Sequence, residues 1–498
     1  MASGASTPAA DDTGSAFDAS GVPLRVVTAA SLFDGHDAAI NVMRRLIQAA
    51  GCEVIHLGHD RSALDVVKAA IEEDAHAIAL TSYQGGHMEY FTYIRELLNA
   101  AGRGDIRIFG GGGGTITPPE IRDLHASGIT RIYSPDDGRK MGLLGMIDDL
   151  VEQASECNLL AQNIGLDAPV IPDQREKVAR LISIAENADA VTFAQALKMC
   201  RSRPMETRVP VIGFTGTGGA GKSSLLDELM RRIITQNPQL NVAILCTDPT
   251  RKRTGGALLG DRIRMNTLVS DRLFMRSLAS RSSGKELSEK TREAIEVCQA
   301  TGYDLIFVET SGIGQGSDAI TDVSDVSLYV MTSEFGAHTQ LEKIEMLDVA
   351  DLVVLNKFEK RGSEDALRAI RKQVKRNRNL FEVEDEALPV IPTIANQFAD
   401  PGVDLLWERL AAILSERHGM ILAALKPQLP ESGMPEPQHI IPPERIHYLA
   451  DISRTVRDYH SRTDDMSQKV RLVQQLEATA RHMAGLADGT GTTLSTGA

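Results

Sequence analysis

Short apolar runs separated by longer stretches of mixed polarity recur in two blocks along the chain. From Leu24 to about Gln153 the runs LRVVTAA, EVIHLG, AIALTSY, IRIFGGG and RIYSP are each followed by a segment with helical periodicity. Apolar runs bounded by turn residues predict buried strands, and periodic segments between them predict crossover helices. The first block therefore reads as βα units in a doubly wound parallel sheet. A second block opens at VPVIGFTGTGGAGKSS and continues through NVAILCTDP, YDLIFVETSG, VSLYVMTSE, ADLVVLNKFE and LPVIPTIAN, predicting another parallel α/β sheet.

Between the blocks, DQREKVARLISIAENADAVTFAQALKMC predicts a charged helical connector. After about Met420 a proline-rich stretch, KPQLPESGMPEPQHIIPPERI, precedes a helical pattern from Arg445 to Ala484. The expected organisation is a disordered tail over 1–21, a first α/β domain over 22–155, a connector over 156–207, a second α/β domain over 208–420, a Pro-rich and helical linker over 421–484 and a disordered Gly/Thr tail over 485–498. The helical stretches around Asp173 to Cys200 and Arg445 to Ala484 are candidates for pairing between chains, which would make a homo-oligomer.

Composition narrows the function. The chain has 498 residues and a net charge of −14, which argues against nucleic acid as the main partner. No apolar run is long enough to span a membrane, and the N-terminus lacks a basic segment leading into an apolar one. Cys52, Cys157, Cys200, Cys246 and Cys298 form no CxxC or CxxH pair, so spacing suggests neither a zinc site nor a disulfide framework, and a reducing cytoplasm fits.

Gly216 to Ser223, GTGGAGKS, fits G-x-x-x-x-G-K-[ST] after a strand and before a helix. Gly216, Gly218, Gly219, Ala220 and Gly221 would wrap backbone N–H groups around phosphates, with Lys222 on the β- and γ-phosphates, Ser223 on Mg2+ and Ser224 beside it. ETSG supplies Glu309 at a strand end, where a carboxylate holds Mg2+ through water; Asp248 and Asp261 are further candidates for that shell. Lys222, Asp248 and Glu309 are the expected catalytic set. NKFE (Asn356, Lys357, Glu359) resembles the N/T-K-x-D guanine signature with Glu in place of Asp, and PTIAN places Asn396 in a second base loop. Arg251 or Arg253 could reach the γ-phosphate, although solvated loop arginines are the commoner case. Gln315 comes too late after ETSG to orient water, so intrinsic GTP hydrolysis is expected to be slow.

In the first block, FDGHD, TSYQGG and FGGGGGT fall after strands one, three and four, where open α/β sheets bind ligands. Asp34 and His36, then Ser82, then Gly110, Gly112 and Gly113 are similar in type and spacing to the cobalamin-binding pattern D-x-H-x-x-G, S-x-L, G-G. Ala39 and Gln84 stand where that pattern has Gly and Leu. The segments GTGGAGKSS, DPTRKRTGGALLGDRIRM, ETSGIGQ and ADLVVLNKFE resemble the GTPase metallochaperones of adenosylcobalamin-dependent acyl-CoA mutases. Together the two blocks resemble the front half of the fused isobutyryl-CoA mutases.

That resemblance implies a flavodoxin-like cobalamin-binding domain followed by a P-loop GTPase and a helical linker. It implies adenosylcobalamin held by His36 on cobalt with Asp34 behind it, Ser82 and the glycines around the cofactor's base, and GTP or GDP with Mg2+ gating cofactor loading. Its partners would be an acyl-CoA-binding barrel, as a large subunit or a missing second half, and an adenosyltransferase supplying cobalamin. A cobalamin-sensing regulatory GTPase and a corrinoid carrier without mutase activity remain open alternatives.

Overall fold

The computed structural model describes residues 16–162, 164–204, 208–251, 254–281, 286–312, 318–335, 341–426, 434–435, 445 and 447–487. Ser31 ends the first strand, β1 (Arg25–Ser31), all of whose residues are buried. Burial on both faces is what a parallel sheet with helices on either side requires, and it explains why these strands read as unbroken apolar runs. There follow α1 (Asp37–Ala49), β2 (Glu53–Arg61), α2 (Ala63–Glu72), β3 (Ala77–Thr81), α3 (His87–Ala100), β4 (Arg107–Gly111), α4 (Pro118–Ala126), β5 (Arg131–Tyr133) and α5 (Pro135–Ser155). Local chemistry sets the helix starts. Ser62 accepts from the Asp65 N–H, and Ser134 with Asp137 forms a capping box ahead of Pro135.

The connector holds α6 (Arg175–Asn187) and α7 (Ala190–Cys200). The second sheet contains β6 (Val211–Gly216), β7 (Val242–Asp248), β9 (Leu273–Ala279), β10 (Leu305–Glu309), β11 (Val326–Met331), β12 (Leu352–Leu355) and β13 (Val390–Pro392). Its helices are α8 (Lys222–Gln236), α9 (Thr291–Ala300), the single-turn α10 (Met346–Val349), α11 (Ser363–Arg378) and α12 (Pro401–His418). The sheet runs β13-β12-β11-β6-β10-β7-β9, with every pairing parallel.

The first sheet has the order β5-β4-β3-β1-β2-β8, in which β8 (Ala257–Leu259) comes from the second block. Ala257, Leu258 and Leu259 pair in parallel with Glu53, Val54 and Ile55, and the Ala257 N–H donates to Cys52 O at 3.2 Å. The segment after β7, expected to be a glycine-containing loop, thus stitches the P-loop domain to the edge of the other domain's sheet.

Buried ion pairs tie the first domain, the connector and the second domain together, Arg262 joining the two domains directly. Arg25 of β1 meets Glu53, Glu73 and Glu186; Arg262 meets Glu72 and Glu73; and Arg276 of β9 donates to Glu186 at 2.7 Å. Glu186 lies on α6, whose Val178, Leu181 and Ile182 are fully buried within the chain. Within the segment expected to pair between chains, this part of α6 packs inside the chain, whereas Val191 and Met199 of α7 are exposed. Residues 16–21, expected in a disordered tail, are also ordered: Asp18 is buried, accepts from the Val22 and Leu159 N–H groups, and faces His76 at 3.3 Å.

Residues 437–498 form a separate unit, described by itself, whose helix α13 (Tyr448–Ala487) carries exposed Leu449, Ile452, Val456, Tyr459, Met466, Val470 and Val473 at heptad spacing. No helix among the described residues is long and apolar enough to cross a membrane.

Candidate functional site

In the first sheet the strand order reverses direction between β1 and β3, so the loops after these two strands diverge and leave a crevice over their carboxyl ends. His36 sits on the loop after β1. Its Nδ1 lies 2.7 Å from Asp34 Oδ1, which also accepts the His36 N–H at 3.0 Å. The other Asp34 oxygen accepts the Tyr83 N–H at 2.6 Å. Burial opposes ionisation of Asp34, but these N–H donors and the imidazole outweigh it and hold the carboxyl below its usual range. An anionic Asp34 accepts a hydrogen bond from Nδ1 and so orients the imidazole, leaving Nε2 as the ring nitrogen that Asp34 does not engage. The His36 side chain is 73% exposed while Asp34 is buried. The two acids flanking His36 separate in role, since Asp37 opens α1 and lies in its first turn.

Beside this imidazole a cavity of about 510 Å³ runs between the sheet and helices α1 and α5. Ala39, Met43, Phe109, Leu143 and Met146 give it apolar walls, and Gly110 to Gly113 form one side. Gly112 has to be glycine: a Cβ there would stand 2.0 Å from Ser82 O.

The polar group in this slot differs from the expectation. Ser82 Oγ accepts from Ser31 Oγ at 2.9 Å and does not line the cavity, whereas Thr81 and Tyr83 do. Successive side chains leaving a strand point to opposite sides, so the S-x-L register read from Ser82 was one residue out. Thr81 Oγ1 is buried and has no hydrogen-bond partner among the described residues, the condition of a hydroxyl that awaits a ligand atom. Gln84, which stands where the pattern has Leu, donates to Leu32 O at 3.3 Å and accepts the Gly86 N–H at 2.8 Å.

A cobalamin fits these residues. A free imidazole nitrogen for cobalt, an apolar slot for an aromatic base and an unsatisfied hydroxyl within it are the groups such a ligand needs. Other histidines serve the fold: His76 accepts the Arg25 N–H, and burial holds His56 down at about 4.

In the second domain, the loop from β6 to α8 adopts the conformation its glycines permit. Gly216, Gly219 and Gly221 have φ of 146°, 76° and 92°, and a Cβ on Gly216 would meet Val330 O at 2.0 Å. Gly218 and Ala220 complete the turn, and Lys222 at the helix start donates to Gly216 O at 3.1 Å. Ser223 Oγ donates to Glu309 Oε1 at 2.9 Å and lies 3.4 Å from Asp261 Oδ1. Asp248 accepts the Gly260 N–H at 2.9 Å. Two of the three carboxylates predicted for a Mg2+ shell, Asp261 and Glu309, thus lie at Ser223, with Ser224 one position further along α8, while Asp248 is tied to the turn just before Asp261.

Their electrostatics calls for a cation. Burial, and then the charge of Asp261, pushes Asp248 and Glu309 up to about 8, and burial raises Asp261 too. Arg264, which sequence reasoning passed over, donates to Asp261 Oδ1 at 2.9 Å. Arg251 is exposed and near Arg44 of α1, whose pKa is lowered by burial first and then by the charges of Arg45 and Arg251, so it lies toward the first domain. Arg253 and Gln315 lie outside the described residues.

The two base-loop segments come together. Asn356 donates to Ala220 O at 2.8 Å, and its Oδ1 accepts from Thr393 Oγ1 and the Ala395 N–H, each at 3.1 Å. Lys357 donates to Gly219 O at 2.8 Å. Glu359 and Asn396 are exposed.

Comparison with known proteins agrees with this division. Residues 24–142 match the model of the B12 binding domain, and residues 178–421 match the methylmalonyl-CoA mutase-associated GTPase MeaB. The chain is 51% identical to a fused isobutyryl-CoA mutase of Geobacillus kaustophilus over 91% of its own length and 42% of that protein's. It is 49% identical to one of Cupriavidus metallidurans, covering 91% of this chain and 41% of the other. A Pyrococcus horikoshii protein named as a candidate GTPase is 35% identical over 47% of this chain and 73% of its own. The chain therefore spans about two fifths of the length of the curated mutases it matches.

Proposed function

We infer, from the matches to the B12 binding domain and the MeaB GTPase and from the likeness to two fifths of the fused isobutyryl-CoA mutases, that this chain loads and guards adenosylcobalamin for an acyl-CoA carbon-skeleton mutase. The observation that carries this reading is His36, with Nδ1 tied to a buried Asp34 and its ring open beside a slot that contains the orphaned Thr81 hydroxyl. Bound there, the cofactor would supply homolysis of its cobalt–carbon bond to start a radical rearrangement. The chain's own residues have a different task. Asp34 keeps His36 oriented, the glycines of β4 leave room for the base, and Thr81 offers it a hydrogen bond.

In the second domain, Lys222 and the P-loop N–H groups would hold the phosphates of GTP. Ser223, Asp248, Asp261 and Glu309 would hold its Mg2+, and Asn356, Lys357, Glu359 and Asn396 would surround guanine. GTP hydrolysis would gate loading or release of the cofactor, and no described residue is placed as a strong water-orienting group. Isomerisation of isobutyryl-CoA and n-butyryl-CoA would require an acyl-CoA-binding barrel, and an adenosyltransferase is the natural donor of the cofactor.

The test is an absorbance and EPR titration of the full chain with adenosylcobalamin, on wild type and His36→Ala. Wild type should bind with the cofactor's own base displaced and a nitrogen from the protein on cobalt; the variant should lose that nitrogen. A cofactor that stays base-on, or a variant spectrum like wild type, would remove His36 from the reading. Wild type should also turn over GTP without isomerising acyl-CoA until a barrel is added.

A further inference from the structure

We propose that Cys246 converts the cation pocket of the P-loop domain into a site for a thiophilic divalent ion of the zinc type, occupied when nucleotide is absent. Cys246 lies on β7 directly opposite Glu309 of β10. Its Sγ is 3.7 Å from Glu309 Oε2. One ligand atom each from Cys246, Asp261 and Glu309 falls within 4.8 Å of the others, and all three residues are buried. Ser223 Oγ, 2.9 Å from Glu309 Oε1 and 3.4 Å from Asp261 Oδ1, faces the same space.

The spacing suits one class of metal. An ion about 2.3 Å from sulfur and about 2.1 Å from oxygen, spanning the observed S···O separation, sees the two at about 114°, close to tetrahedral. Mg2+ takes oxygen ligands in octahedral geometry, so a Mg2+ shell has no use for this thiol. A sulfur with two carboxylates around a closed, preorganised pocket favours zinc-like ions over magnesium.

The ligands come from two neighbouring strands and from the turn after β8, which is why the spacing of cysteines along the chain gave no hint of them. Cys52, Cys157, Cys200 and Cys298 are also buried, but none joins a group of three potential ligands among the described residues. On binding, the Cys246 thiol gives its proton to solvent, and the resulting thiolate forms the metal–sulfur bond. Because Asp261 and Glu309 serve both ions, the thiophilic ion and Mg2+ with nucleotide exclude one another. The inference concerns metal binding and stands apart from whether the first domain holds cobalamin.

The experiment uses the full chain freed of cobalamin, nucleotide and metal, titrated with Co2+ as a spectroscopic probe. Wild type should develop a saturable near-ultraviolet sulfur-to-cobalt charge-transfer band at one ion per chain. Zn2+ should abolish the band, and Mg2+ with GDP should suppress it. Cys246→Ser, which is near-isosteric, should lose the band while keeping the wild-type circular dichroism, and Cys298→Ala should retain it. No band in wild type, a band that survives in Cys246→Ser, or a band indifferent to Mg2+ with GDP would each overturn the proposal. If Cys246→Ser fails to fold, quenching of the band in wild type by stoichiometric Zn2+, together with protection of Cys246 from alkylation by Zn2+, decides the matter. Unaltered alkylation would sink it.

Discussion

Replacing Gly256 by valine tests whether β8 links the two domains as the fold indicates. A Cβ at Gly256 would lie 2.1 Å from Gln48 O and 2.9 Å from Cys52 O, both backbone atoms of the first domain that cannot rotate away. Ordinary carbon–oxygen contact needs more than 3 Å, so the strand must retreat by about 1 Å, enough to break the Ala257 N–H bond to Cys52 O. Ala257 and Leu259, both fully buried, would lose part of their burial. Losing most of a buried leucine's contribution, about 2 kcal/mol, and one hydrogen bond, about 1 kcal/mol, gives roughly 3 kcal/mol of destabilisation. The same retreat pulls Gly260 from Asp248 and moves Asp261, which begins two residues after β8, so Mg2+-dependent GDP affinity should fall by about tenfold. Gly260→Ala is the control, since its Cβ would meet nothing within 4 Å. Urea unfolding and GDP titration with and without Mg2+ on wild type and both variants read the two effects. A Gly256→Val protein matching Gly260→Ala in both assays would refute the coupling.

Further outcomes follow from the same geometry. Thr81→Val should weaken adenosylcobalamin binding by about fivefold, one neutral hydrogen bond, whereas Ser82→Ala should lower stability by about 1 kcal/mol with little change in affinity; equal affinity losses in spectroscopic titration would return the role to Ser82. Asp34→Asn, judged by the same titration, should cost about 10- to 100-fold in affinity because His36 loses its orienting anion. Arg262→Met leaves Glu72 and Glu73 with fewer cationic partners in a buried site and should destabilise the chain by about 3 kcal/mol in urea unfolding. Asp248 and Glu309 have folded pKa values raised from 3.8 and 4.5 to about 8, so without a cation the native state holds protons that the unfolded chain releases. Their contribution is therefore present below about pH 4 and fades as pH rises toward 8, and Mg2+ with GDP should flatten that decline in thermal melts; a metal-free protein that gains stability across this window would contradict the assignment.

What the sequence disclosed and what it concealed divide along one physical line, the distance between partners. His36 and Asp34 were legible because the acid, the imidazole and the helix start lie within a few residues, and each parallel strand was legible because burial on both faces leaves an unbroken apolar run. Neither condition holds for β8 and β9. β8 is three residues long, and its partner strand lies about two hundred positions earlier, so no local period announces it. β9 breaks the apolar rule with buried Arg276 and Ser277: Arg276 Nη2 donates to Glu186 of the connector and Ser277 Oγ to Glu73 of the first domain, while Arg276 Nε and Nη1 have no hydrogen-bond partner among the described residues. The one-residue slip at Ser82 has the same origin: either hydroxyl suits the motif, and only the pleat, set by β3 between β1 and β4, decides which one faces the cavity. The concealed features are those through which one domain completes the other, and they meet in a single segment. Asp248 ends β7 and Asp261 lies two residues beyond Leu259, the last residue of β8, so these two carboxylates flank in sequence the segment that pairs with β2. Beyond that pairing, Asp60 at the far end of β2 accepts the Phe33 N–H at 2.7 Å, one residue before Asp34. A cation entering among these carboxylates would therefore have a path toward the His36 loop through β8, β2 and the Asp60 side chain, beside the second link that Arg262 makes with Glu72 and Glu73.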